Sequence, residues 1–173
     1  MNQVPQARFA EFIEFFPSLQ PPFSLLPDLE QIPSDQIPLP GVLLETYILP
    51  FEANEMDEYT EYIPYGKIDG TKSFYALIYW KAGVLRYEFI LATYTLDGHP
   101  MSHAIIGGTR YEEEGTIHSV AVVHEDLRIT IAEGMADPDE QGAPLHQETQ
   151  TYFMAIKPTG EIIYEVNEEK KKD

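Results

Sequence analysis

At 173 residues and 19.7 kDa the chain has the length of one ordinary domain, and 43% apolar residues with 12% aromatics are enough to bury a core. Cysteine is absent, which excludes a disulfide framework, thiolate metal ligation and a cysteine nucleophile. A formal charge of -18 argues against nucleic acid and anionic membranes as partners, because both are met by clustered Lys and Arg.

The opening MNQVPQARFAEF shows no basic leader ahead of an apolar run, and no segment approaches about eighteen consecutive apolar residues. The expectation is a soluble, cytoplasmic protein of one domain, 1–173, divided by composition near Pro64. Up to that point lie ten of the fourteen prolines, six of the nine phenylalanines, and eleven acids against the single base Arg8. Phe9, Phe12, Ile13 and Phe16 recur at i, i+3, i+4 and i+7, with Glu11 and Glu14 turned away and Pro17 as the stop, which predicts a short amphipathic helix. Pro21, Pro22, Pro27, Pro33, Pro38 and Pro40 then interrupt any backbone ladder, so 20–40 reads as extended chain and turns anchored by Phe23, Leu25, Leu26 and Leu29. Residues 42–49 fit a helix or a strand between Pro40-Gly41 and Pro50, and a strand is the expectation taken.

From Tyr62 to Val166 the β-formers dominate and the breaks are short. Residues 74–80 and 84–96 make a hairpin across Lys81-Ala82-Gly83, and Asp97-Gly98 turns the second run back onto 101–106. Further runs at 116–124, 127–133, 151–157 and 161–166 are joined by Glu125-Asp126, an acidic loop over 134–144, and Pro158-Thr159-Gly160. Short sequential connections mean antiparallel neighbours. Leu127, Ile129 and Ile131 alternate with Arg128, Thr130 and Ala132, giving one buried face, whereas 74–80 is apolar on both faces and needs cover on both. The fold class is therefore α+β, mostly β: an antiparallel meander of seven to eight strands curled into a half-barrel or barrel, covered by the N-terminal helix and the Pro-rich segment (1–61), with a frayed tail over 167–173.

Chemistry is harder to find. Five histidines raise a metal site, for which His103, His118 and His124 are the candidates, with Glu133 or Glu125 as cross-strand partners. His99 and His103, four apart on a strand, sit about 13 Å apart, too far to share one ion. Surface histidines explain all five, so neither metal nor cofactor is expected. Ser102 beside His103 and Ser119 beside His118 are adjacent, yet successive strand residues point to opposite faces, so no nucleophile and base pair results. The acidic stretch 52–61, the block Glu112–Glu114 and the acids at 137–140 lack calcium-loop spacing. Gly107-Gly108 does not open a helix as a phosphate cradle would.

Aromatic residues are the remaining lead. Trp80, Tyr75, Tyr79, Tyr87 and Tyr94 concentrate mid-chain, where rings either pack a sheet or line a concave binding face. The first reading of function is a non-catalytic binding or scaffold domain whose acidic surface meets a basic protein, in the manner of inhibitor or immunity proteins. The alternative is a β-barrel around a small apolar ligand, marked by a pocket lined by Phe74, Ile78, Phe89 or Leu91; a hydrolase with converging carboxylates or histidines stands third. Unclosed strand margins also offer a route to a homodimer.

Overall fold

The computed structural model describes residues 4–27, 38–52, 58–136 and 149–165. The predicted N-terminal helix is α1 (Val4–Glu14), which buries Phe9 and Phe12, with Phe16 following just beyond it, and leaves Glu11 and Glu14 in solvent. The Pro-rich stretch, read as extended chain and turns, contributes the short strand β2 (Phe23–Leu25), and β1 (Ser18–Leu19) precedes it; residues 28–37 lie outside the described residues.

Residues 42–49 are helical rather than a strand. An α turn at Gly41–Leu43 runs into a π turn at Leu44–Ile48 and a closing α turn at Leu49–Glu52. Leu43, Tyr47 and Ile48 are buried together, whereas a pleat would send the last two to opposite faces, so packing on one side selects the helix. The wide turn also suits Pro50: the amide of Leu49 reaches back five residues to Leu44 O, and the next residue has no N–H to place.

Eight strands follow in an unbroken antiparallel meander: β3 (Glu61–Ile68), β4 (Phe74–Ala82), β5 (Arg86–Thr95), β6 (Pro100–Glu112), β7 (Gly115–Val123), β8 (Arg128–Ala136), β9 (Gln150–Ile156) and β10 (Ile162–Glu165). The Asp97-Gly98 turn forms where the sequence placed it. Gly98 has φ 93°, and a Cβ there would lie 2.6 Å from Cγ of Phe9, so its missing side chain also lets α1 sit against the turn. The acidic loop expected over 134–144 begins later, because Gly134–Ala136 continue β8; its remainder and the 167–173 tail are outside the described residues.

The sheet does not close into a barrel. β1 lies parallel on the outer edge of β3 at Lys67–Ile68, and β6 leaves β7 beyond the Gly108–Ser119 pair, where β2 takes its place along Ala121–Val123. Curvature still brings the last hairpin round to the start of β4, but side chains make the contact: Thr93 Oγ1 donates to Gly160 O at 2.6 Å and Ser73 Oγ to Pro158 O at 3.0 Å. A ladder is absent there because the first and last strands each present an edge that does not reach the other. The result is a mixed, open ten-stranded sheet.

Both faces of β4 and β5 are buried, as the apolar pattern requires. On the inner face Phe74, Ile78, Trp80, Phe89 and Leu91 meet Leu25 of β2 and the apolar residues of β7, β8 and β9. On the outer face Leu77, Tyr79, Ile90, Ala92 and Tyr94 are covered by α1 and the second helical segment. Phe9 stands at the centre of this cover, 5.2 to 5.6 Å from the rings of Tyr47, Tyr75 and Tyr94. Among the described residues no helix is long and apolar enough to cross a membrane.

Polar contacts hold the second helical segment in place. Tyr94 donates its hydroxyl to Tyr47 O at 2.7 Å, Tyr79 donates to Glu52 Oε1 at 3.0 Å, and Lys81 Nζ lies 2.6 Å from Glu52 Oε2. The ion pair is desolvated, its side chains only 10% and 5% exposed. Breaking such a pair leaves a buried charge, whereas replacing both partners with apolar groups removes the desolvation with it. Lys81→Met alone should therefore lower the unfolding free energy by about 3–5 kcal/mol, and the double change Glu52→Leu with Lys81→Met by clearly less. Equilibrium urea unfolding of the three proteins checks the order; a double variant worse than the single one contradicts it.

Candidate functional site

The register of the meander lines up polar residues that the sequence scatters over seventy positions. Lys81 of β4 pairs with Glu88 of β5, Glu88 with Gly108 of β6, Gly108 with Ser119 of β7, Ser119 with Glu133 of β8, and Glu133 with Gln150 of β9. At about 4.8 Å per strand this row runs roughly 24 Å across the sheet. One end is anchored by Glu52 on Lys81, and Gln150 accepts a hydrogen bond from the Tyr152 hydroxyl at the other.

The row changes side part-way. Lys81 shares the parity of Tyr79 on the helix-covered face, while Ser119 and Glu133 share the parity of Ala121 and Ile131 in the inner core. The turnover falls at Gly108, next to a bulge in β6, where φ is 130°. A Cβ on Gly108 would lie 2.0 Å from Tyr87 O, edgewise into the neighbouring strand, so no other residue fits the backbone path.

With no side chains at Gly107 and Gly108 a groove of about 310 Å³ opens beside the row. Its polar lining is Glu88, Arg110, Ser119 and Glu133, Ile105 and Ile131 are the apolar part, and Tyr152 and Tyr164 stand at its rim. Both rings are exposed, Tyr164 to 71%. Glu133 is the hub: Oε2 accepts from Ser119 Oγ at 2.9 Å, and Oε1 lies 3.4 Å from Nη2 of Arg110. At that distance, with side chains 34% and 27% exposed, the Arg110 pair is weak, of the order of 0.2–1 kcal/mol. Glu88, by contrast, is 2% exposed.

Among the described residues the two Ser–His neighbours of the sequence do not form nucleophile and base pairs. Ser119 already donates to Glu133, and His118 is engaged elsewhere, its Nδ1 3.1 Å from Thr109 Oγ1. Ser102 and His103 do not pair either: Ser102 Oγ accepts from the Ile162 amide, and the His103 ring lies over Phe51 at 4.8 Å. Glu88 and Glu133 are three strands apart in the row, so their backbones stand about 14 Å apart along the sheet.

The metal candidates are dispersed. His103 is on Phe51, His118 on Thr109, and His124 Nε2 is 2.9 Å from Thr130 Oγ1 beside a second, shallower depression of about 650 Å³. Among the described residues no three metal-ligating side chains come together. Of the five aromatic candidates, Trp80, Tyr79 and Tyr94 are buried, and Tyr75 and Tyr87 half-buried. They divide between the two faces, with Trp80 stacked on Tyr87 and 4.5 Å from Phe89 on the inner side, and Tyr79, Tyr94 and Tyr75 in the outer core. Burial pushes the Tyr79 and Tyr94 hydroxyls well above the usual tyrosine range, and the Glu52 charge adds to the effect on Tyr79. Phe74, Ile78, Phe89 and Leu91 are packed in the inner core, and neither depression is lined by any of them.

Sequence reasoning passed over Glu88, Arg110, Tyr152 and Tyr164. The available signal was a charge within each strand, Glu88, Arg110 and Glu133, but only register shows that they converge. No protein-family model, curated protein or solved structure matches the chain.

Glycine at 108 is the structural condition for the groove. Gly108→Ala should cost at least about 3 kcal/mol through strain and backbone collision, whereas Gly70→Ala, with φ 97° and nothing within 4 Å, should cost about 1–2 kcal/mol. Thermal and urea unfolding measure both; equal losses would mean that the Gly108 path is not fixed.

Proposed function

We propose that this is a non-catalytic binding domain that meets a basic protein partner, with the groove beside the polar row as part of the contact surface. The supporting observation is a groove that holds the half-buried carboxylate of Glu133 and is lined by two exposed tyrosines, Tyr152 and Tyr164, in a chain of net charge -18. Tyrosines at the rim of a polar depression supply contact area at low entropic cost, as in many interfaces. The excess negative charge speeds encounter with cations and opposes anionic partners. Filled packing around Phe74, Ile78, Phe89 and Leu91 weighs against the small apolar ligand. In the groove Ser119 has no histidine partner, which weighs against a hydrolase.

Long-range attraction of this kind is screened by salt. A fluorescent peptide of mixed lysine and arginine should bind, and its affinity should fall about tenfold or more between low and several-fold higher ionic strength, while an acidic peptide of equal length should not bind. Fluorescence anisotropy reads both. Affinity indifferent to salt, or equal for the two peptides, contradicts the reading.

A further inference from the structure

We infer that the groove is a receptor for an arginine side chain of the partner, and that Arg110 is an internal stand-in which that side chain displaces from Glu133. This rests on the binding-domain reading above and names the group recognised.

The geometry carries it in three ways. A guanidinium already lies at Glu133, so the carboxylate is presented to a planar cation. Arg110 holds it at 3.4 Å through one nitrogen only, and a guanidinium arriving from outside can approach in the two-bond geometry that carboxylates favour. Glu133 is held for that purpose by Ser119, which fixes one oxygen at 2.9 Å. The rings of Tyr152 and Tyr164 flank the same groove, exposed, and an arginine passing between them gains contact with aromatic faces that a lysine matches less well.

Displacement makes opposite predictions for two neighbours in the groove. Removing Arg110 frees Glu133 for the ligand; removing the charge of Glu133 takes the receptor away. The experiment measures binding of a fluorescent hexa-arginine peptide, with hexa-lysine beside it, at low ionic strength. Arg110→Met should tighten hexa-arginine binding about three- to tenfold, and Glu133→Gln should weaken it about tenfold. Tyr164→Ala, a change at an exposed rim position that leaves the core untouched, should weaken it several-fold. Hexa-arginine should bind more tightly than hexa-lysine to the unaltered protein. Two variants on α1, Arg8→Met and Glu11→Gln, make the same charge changes at exposed sites. α1 packs on Tyr94, about 20 Å along β5 from Glu88, so these controls should shift affinity only slightly.

If the groove and α1 variants move affinity alike, by the sign of the charge alone, the arginine receptor is wrong while the acidic binding domain stands. If Arg110→Met weakens binding, the displacement is wrong. If neither peptide binds the unaltered protein, the receptor and the functional reading both fall. Circular dichroism of each variant confirms that the fold is retained, and Tyr164→Ala supplies the test should Glu133→Gln unfold.

Discussion

A strand pair that is apolar on both faces must be covered twice, and that constraint organises this chain. β4 and β5 alternate large side chains to either side without a solvent face, so a lone sheet would expose one row of rings whichever way it bent. The meander meets half of the requirement by curling β7, β8 and β9 over the inner face. The N-terminal segment meets the other half with α1 and the second helical stretch, and lends Leu25 to the inner side as well. The two cores are thus back to back through one hairpin. Buried polar groups fix the outer cover in a single position, since the hydroxyls of Tyr79 and Tyr94 and the ammonium of Lys81 each need the acceptor that the helical stretch provides.

The same hairpin begins the polar row. Lys81 and Glu88 lie opposite each other on β4 and β5, and register carries the row outward through Gly108 to Ser119, Glu133 and Gln150. Strand bulging at β6 keeps this row from being sealed: where β6 parts from β7 the sheet turns over, glycines replace side chains, and a depression remains with carboxylates in it. Fold and site therefore share a cause. The bulge in β6 beside Gly107 and Gly108 lies next to the groove, so the same irregularity that bends the sheet leaves the depression beside the polar row.

Much of this was legible in the sequence. The Phe9, Phe12, Phe16 spacing gave α1, Asp97-Gly98 gave its hairpin, and the β-former runs gave β4 to β10 of the meander in order, with β3 not bounded as a run. Three things were not. Residues 42–49 are too few for periodicity to separate a helix from a strand, and what decides is that Tyr47 and Ile48 pack on the same body. Barrel closure depends on whether the first and last edges meet, a long-range property, and β1 and β2 alter the outcome through two- and three-residue pairings too short to read. The groove depends on register across six strands, which shifts by one residue at each bulge in β6 and so cannot be counted from the turns. Tyrosines that composition marked as candidates went to the cores, and the rim rings, Tyr152 and Tyr164, come from strands that composition did not single out.

Native-state hydrogen exchange tests the central constraint most directly. If the hairpin of β4 and β5 is the shared wall of two cores, its amides should exchange only through global unfolding, with protection free energies equal to that from urea unfolding, while β10, with one strand neighbour and an exposed Tyr164, exchanges by local opening. Amides of β4 and β5 that exchange as readily as those of β10 would contradict the account.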